Sequence, residues 1–467
     1  MIVGITSAIQ NPAVAEMERD LPATSSQFSL SIALFVLVQG LFPIVWSAIS
    51  EVKGRKLVYL LSLFLATAGS IVIAVSQDIG LVIGFRCMQA AGSSAFLAIG
   101  AATLADIYEP HERGTKMGIY YTAPLLGPSL GPILGGGLTS WLGWRSIFWF
   151  CAILCGIPLL AFLVFFKDTF RKERSLTYQD IVRKRLKERA KNAELASRQK
   201  SVSTRAIVTA QGETNLEEAS SRVSGNESGE IKIMLRDVSP FRPIYLVLRR
   251  WNNVTMLFVT SVMMAWQFMI TYTIARTLSS KYHYEPWKIG LTSLSYGMGC
   301  LFGSVIGGRW SDFVLRRTKA KNGGVSQPEM RLKSTMLGVF VFPAFVAAGG
   351  WATQEHAHIA VVVVMLFGGG FFSVYVPAMM YSSILAYIVD ANAGRSSSAV
   401  ATNSVFRGIF AFISTELAVP MQDGLGDGWT YTIWAVIALL SGFLSIWTSI
   451  KGAEWRRNAE EREVKEG

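Results

Sequence analysis

Gly127-Pro128-Ser129-Leu130-Gly131-Pro132-Ile133-Leu134-Gly135-Gly136 sits inside an otherwise apolar stretch, Gly114 to Thr139, that is long enough to cross a bilayer. Gly127, Gly131 and Gly135 recur every four residues, so a helix presents them as one bare stripe on which another backbone can close to van der Waals contact. Pro128 and Pro132 bend that helix, and in a membrane bundle neighbouring helices satisfy the backbone groups they free. The expectation is a bent, tightly packed transmembrane helix in a bundle that rocks between states.

Composition agrees. Of 467 residues, 51% are hydrophobic and only 16% charged, and the mean hydropathy is +0.37, too apolar for a soluble domain. The net charge of +12 lies mostly in loops between hydrophobic runs, where a basic bias is an orientation signal, so no nucleic-acid partner is expected. Cys87, Cys151, Cys155 and Cys300 all fall in apolar runs without disulfide or zinc spacing and read as packing residues. No metal or cofactor is implied. No polar segment is long enough for a catalytic domain and no nucleophile constellation appears, so the chain does not read as an enzyme.

The run from Met1 to about Val14 would be about 21 Å long as a helix, short of a roughly 30 Å core, so the first span is expected to be truncated. Spans follow at Ser29 to Ser50, Leu57 to Ser76, Ile79 to Ile107, Gly114 to Thr139 and Ser146 to Phe166. From Lys167 to about Arg250 the composition turns to Lys, Arg, Glu, Ser and Gln and reads as a solvated linker. The second half repeats the pattern at Val254 to Thr277, Trp287 to Trp310, Ser334 to Trp351, His358 to Tyr381, Ser396 to Val419 and Thr430 to Ile450. The expected fold is an all-α membrane protein made of two six-helix bundles around a central cavity. Its parts are an N-terminal half, 1–167; a basic linker, 168–252; a C-terminal half, 253–451; and a tail, 452–467. Lys and Arg concentrate in the Glu51 to Lys56, Arg309 to Lys333 and Lys451 to Arg457 loops, which predicts that both termini and the linker are cytosolic.

The duplication extends to charged loops. Ser47, Glu51 and Arg55 follow the second span, and Gly308, Asp312 and Arg316 follow the eighth, each set being a small residue, an acid and a base at four-residue intervals. At a helix end the acid can accept from free backbone donors and the base can reach a neighbouring helix, forming a latch. The loop Glu51 to Lys56, the run Arg86-Cys87-Met88-Gln89-Ala90-Ala91-Gly92, the Gly/Pro run of the fifth span and Pro110-His111-Glu112-Arg113-Gly114 together resemble the major facilitator superfamily. The resemblance is closest to the fungal twelve-span drug:proton antiporters of the quinidine-resistance type. It implies alternating access, with Glu51, Arg55, Asp312 and Arg316 in gating loops, Arg86 in proton coupling, and Gly127 to Gly136 as the antiporter motif. Ser47 stands where the family has glycine, Glu51 where it has aspartate, and Ala90 where it has glycine.

The eighth span carries a second stripe, Gly299, Gly303 and Gly307; the two stripes are expected to face each other across the halves, the alternative being that each packs within its own. Charges in hydrocarbon are costly and mark function. Arg86 shares a helix face with Gln89, and Asn403 shares one with Arg407; both pairs are expected in the cavity. Arginine stays protonated, so the proton carrier is a carboxylate. Glu416 is the most embedded but lies half a turn away from Arg407, and Asp106 and Asp390 read as helix-end partners of Arg113 and Arg395, so the carrier stays open. Gln39, Tyr120, Trp266, Gln267, Tyr272, Tyr296 and Tyr375 are candidate cavity residues, suited to amphipathic, often cationic compounds. The reading is a monomeric, multi-pass plasma-membrane exporter of small organic, drug-like compounds in exchange for protons, its partners being substrate, protons and lipid. A nutrient facilitator or symporter and a non-transporting sensor are the alternatives.

Overall fold

A computed structural model describes residues 2–107, 127, 130–166, 168, 241–321, 336–372 and 396–466. The expectations on Tyr120, Pro128, Tyr375, Asp390, Arg395, the Pro110 to Gly114 run and most of the linker lie outside them, as do the side chains of Glu51, Asp106 and Asp312 and the surroundings of Gly307.

The described residues form helices and no strand. The first segment is broken: α1 (Ile2–Ala8) stops before a 3-10 turn at Asn11–Ala13, and α2 (Val14–Asp20) follows. Pro12 has no N–H to carry the helix on, so the break falls there. Next come α3 (Ser25–Lys53), α4 (Arg55–Val75), α5 (Ile79–Ile107), α6 (residues 130–142) and α7 (Arg145–Phe165). In the second half lie α8 (Phe241–Leu248), α9 (Trp251–Ser280), α10 (Pro286–Lys321), α11 (Met336–Gln354), α12 (Ile359–Phe372) and α13 (Ser396–Glu466). Gly426, at φ 75°, breaks α13 into two arms, a conformation glycine adopts without penalty. Six helices among the described residues are long and apolar enough to cross a membrane, and the longest, within α13, contains that break.

The helices run further than the apolar runs predict. α3 starts earlier because Thr24 and Gln27 form a reciprocal capping box, and α10 continues through the basic segment to Lys321. The end of the stretch read as linker is itself helical, since α8 buries Val247 in the main core.

Lipid-facing helices show their role by periodicity. α7 exposes Ile153, Ile157, Leu160 and Val164 on one side and buries Phe148, Cys151 and Cys155 on the other. α4 and the second arm of α13 are divided in the same way.

Alternating helix directions give the bundle a loop end, with turns at 21–24, 76–78, 143–144, 281–285 and 355–358, and a linker end holding Gly54 and α8. The halves meet from the loop end to mid-bundle. Gly40 of α3 lies on Gly408 and Ser404 of α13, and Ser29 Oγ donates to the Thr415 carbonyl at 2.7 Å. On the other side Gly136 lies on Pro286 and Trp287, and Gly290 on Pro132 and Ile133; at neither position is there room for a Cβ. This corrects the expected meeting of the glycine stripes. Gly127, Gly131 and Gly135 lie against Gly4, Ala8 and Ile9 of the first segment, while Gly299 lies against Phe367 to Phe371 of α12. Residues four apart share one direction, but Gly136 points about 100° further round, and that direction faces the other half.

Candidate functional site

Arg86, on α5, is fully buried. Its guanidinium stacks over Phe35 of α3 at 4.1 Å and lies 5.9 Å from the Phe148 ring of α7. Its Nη1 donates to the Thr6 carbonyl at 3.1 Å and to Gln89 Oε1 at 2.8 Å, and Gln89 Nε2 donates on to Ser70 Oγ of α4 at 2.7 Å. Thr6 can accept because α1 ends at Ala8, leaving its last carbonyls without intrahelical donors. The break in the first helix therefore provides an anchor for the arginine. Arg86 Nε and Nη2 have no hydrogen-bond partner among the described residues.

The same break places polar side chains that the sequence reading passed over. Gln10 is fully buried, and among the described residues neither of its side-chain polar atoms has a partner, nor does the buried Asn11 Oδ1. An unmet buried polar group costs about 1–3 kcal/mol, so one kept in place calls for an explanation such as a ligand. The available signal was Asn11-Pro12, a turn dipeptide inside an apolar run.

On the far side of the seam, within the second half, Thr260 Oγ1 donates to Asn403 Oδ1 at 2.7 Å and Arg407 Nη2 contacts Met264 Sδ at 3.0 Å. Met264 and Phe268 pack with Phe35, Val36, Ala90 and Ala411 in one small cluster. Arg86, over Phe35, and Arg407, on Met264, thus flank the same cluster from opposite halves. Arg86 and Gln89, read from the sequence as sharing a face, bond each other directly, and Asn403 and Arg407 are held through α9.

The remaining predicted cavity residues scatter. Gln39 is buried, its Nε2 unpartnered among the described residues. Tyr272 is buried near the loop end, its hydroxyl donating to the Ser25 carbonyl at 3.3 Å. Tyr296 and Trp266 line a crevice of about 20 Å³ inside the second half with Phe345, Thr353 and Tyr431. Gln267 is half-buried. Glu416 is partly buried, and its Oε1 has no partner among the described residues. No group of His, Cys, Asp and Glu that could hold a metal occurs among the described residues.

At the linker end Arg55 is buried and its guanidinium bonds Ser50 Oγ. The acid bonding the first backbone donor of α4 is Asp168, whose Oδ1 accepts from Arg55 N at 3.1 Å. Asp168 follows α7, so it ties two helix ends together, a long-range pairing with no local sequence signal. Arg316 is exposed on α10.

The loop end carries two charged networks. Asp20 accepts from Trp144 Nε1 at 2.9 Å and pairs with Arg145 at 3.5 Å, while Arg145 also donates to the Ser76 carbonyl at 3.2 Å. In the second half Asp427, fully buried, pairs with Lys281 at 2.8 Å and accepts from Gln422 Nε2 at 2.6 Å; Arg276 pairs with Asp423 at 2.7 Å.

A family model described as "Major Facilitator Superfamily" matches residues 1–415. "Citrate exporter 1" of Aspergillus niger is 28% identical over 99% of this chain and 85% of its own length. "Quinidine resistance protein 3" of Saccharomyces cerevisiae is 26% identical over 96% of this chain and 80% of its own. "Efflux pump radE" of Floropilus chiversii is 28% identical over 94% and 75% respectively.

Proposed function

Because the chain belongs to the Major Facilitator Superfamily, we propose that this multi-pass membrane transporter exports small organic compounds in exchange for protons by alternating access. It is a transporter and not an enzyme, and its relatives carry exporter and efflux names. The observation that carries the proton coupling is the pair of embedded ionisable groups left partly unmet. Arg86 is fully buried with two nitrogens unpartnered among the described residues, where Glu416 likewise keeps a buried, unpartnered carboxylate oxygen. Such groups are expensive in a bilayer and persist where an ion or ligand uses them. Glu416 is the carrier in this reading, and Arg86 with Gln89 holds the substrate path polar. With the linker on the cytosolic side, the closed loop end faces outward, and this conformation takes substrate from the cytosol. The plasma membrane and a monomeric state belong to the same proposal, as do the gating roles of Glu51, Arg55, Asp312 and Arg316.

Aromatic walls suit drug-like amphipathic cations, but one observation favours a second substrate class. Arg86 and Arg407 bring a positive charge from each half to one cluster, which suits a compound bearing a carboxylate, and one relative is named for citrate. The test is flux in vesicles holding the purified chain, with a fluorescent cationic dye or labelled citrate, with and without an imposed proton gradient. Gradient-driven flux that disappears in Glu416→Gln is the expected result. Flux indifferent to the gradient would make the protein a facilitator, and no flux of any compound would favour a sensor.

A further inference from the structure

Arg86 meets its neighbours with only part of its guanidinium. Phe35 covers one face, and the Thr6 carbonyl and Gln89 Oε1 take Nη1, which leaves the edge formed by Nε and Nη2 without a hydrogen bond among the described residues. That edge is a fork of two donors, matched to the two oxygens of one carboxylate. None of the ion pairs among the described residues includes Arg86, and the ionisable groups that act on it are the thiols of Cys87 and Cys151. A buried cation without a counter-charge is costly, so an anion that supplies one is held firmly.

A further donor comes from the break in the first segment. The backbone stays right-handed helical through Gln10, at φ −75° and ψ −25°, so Gln10 sits one turn on from Thr6, on the face that meets Arg86. Gly4 and Ala8, on the opposite face, are the residues that pack on Gly127 and Gly131. Gln10 is fully buried with both amide atoms unmet among the described residues. Phe35 belongs to the apolar cluster of Val36, Ala90, Ala411, Met264 and Phe268, which adjoins the arginine. The turn Asn11–Ala13 rests on α9 and α10 of the other half, so parting the halves at the loop end uncovers this corner.

We propose that the open fork of Arg86 and the amide of Gln10 bind the carboxylate of a transported amphipathic monoanion, one carboxylate on an aromatic body, in the conformation with the loop end open. One fork fits one carboxylate, and the apolar cluster takes the body, where a further charge would be buried unpaired. The site rests on the export reading above and narrows its substrate class.

The full chain, purified in detergent, is given labelled 2-naphthoate, with its neutral isostere 2-naphthamide or citrate as competitor. Naphthoate should bind, and neither competitor should displace it at equal concentration. Gln10→Leu should weaken binding about tenfold, the loss expected of one hydrogen bond to a charged group, and Arg86→Gln should weaken it further. Gln10→Glu gives the fork a carboxylate of the chain's own; it should stop binding and raise the unfolding temperature, and it serves if Arg86→Gln does not fold. Equal binding by wild type and folded Gln10→Glu, or displacement by naphthamide, would overturn the site. Displacement by citrate as strong as by unlabelled naphthoate would overturn the monoanion as its occupant. Gradient-driven flux of the cationic dye without any naphthoate binding would overturn the site and leave the export reading standing, whereas naphthoate binding by a chain that moves no compound would keep the site and overturn export.

Discussion

At the scale of the residue, the centre is organised by Arg86. A planar fork is needed to stack on Phe35 while one nitrogen serves both Thr6 and Gln89, and lysine offers a point charge without that geometry. Arg86→Lys is expected to reduce gradient-driven flux by up to about a hundredfold in vesicles reconstituted with equal amounts of folded protein, since a misplaced group can cost roughly that in a positioned site. Gln10 separates function from structure more sharply. Its buried amide meets no partner among the described residues, so Gln10→Leu removes an unmet polar group and should raise stability by about 1 kcal/mol. A higher unfolding temperature with lower flux would assign Gln10 to the substrate path; higher stability with unchanged flux would make it an unused residue. Arg86 and Gln89 were legible as a pair in the sequence, because three residues apart on a helix means one face. Gln10 was not, because its unmet amide depends on a break that only the folded first segment shows.

At the scale of the element, close helix approach decides which glycines matter. Gly131 lies on Ala8 and Ile9 within the first half, so Gly131→Leu should push the first segment away and lower folded yield as well as transport. Gly136 and Gly290 instead let α6 and α10 touch across the halves. Gly136→Leu should leave the protein folded but part the loop end, read as faster labelling of Ser140→Cys by an impermeant maleimide. Ser140 is a sound reporter because its hydroxyl accepts from Trp287 N at 3.1 Å across that seam. At the linker end, Asp168→Asn removes a charge from the start of α4 and should cost about 0.5–1 kcal/mol, measured by thermal unfolding in detergent.

At the scale of the whole molecule, the two halves are held together from the loop end to mid-bundle by Gly40 on Gly408, Ser29 on Thr415, and α6 on α10. Alternating access requires that seam to open. The double variant Ser29→Cys with Thr415→Cys should therefore stop turnover when oxidised and recover it on reduction; transport that continues with the disulfide formed would mean this seam stays shut through the cycle. The spans, the duplication and the membrane class came from the sequence alone, because hydrocarbon demands long apolar helices, and composition records that demand directly. The glycine period showed that backbones approach closely. Which backbones, and across which boundary, depended on rotations of about 100° per residue and on packing between segments far apart in the chain, and Asp168 found Arg55 in the same way. Those partnerships follow from the summed packing of every helix, and so only the tertiary structure decided them.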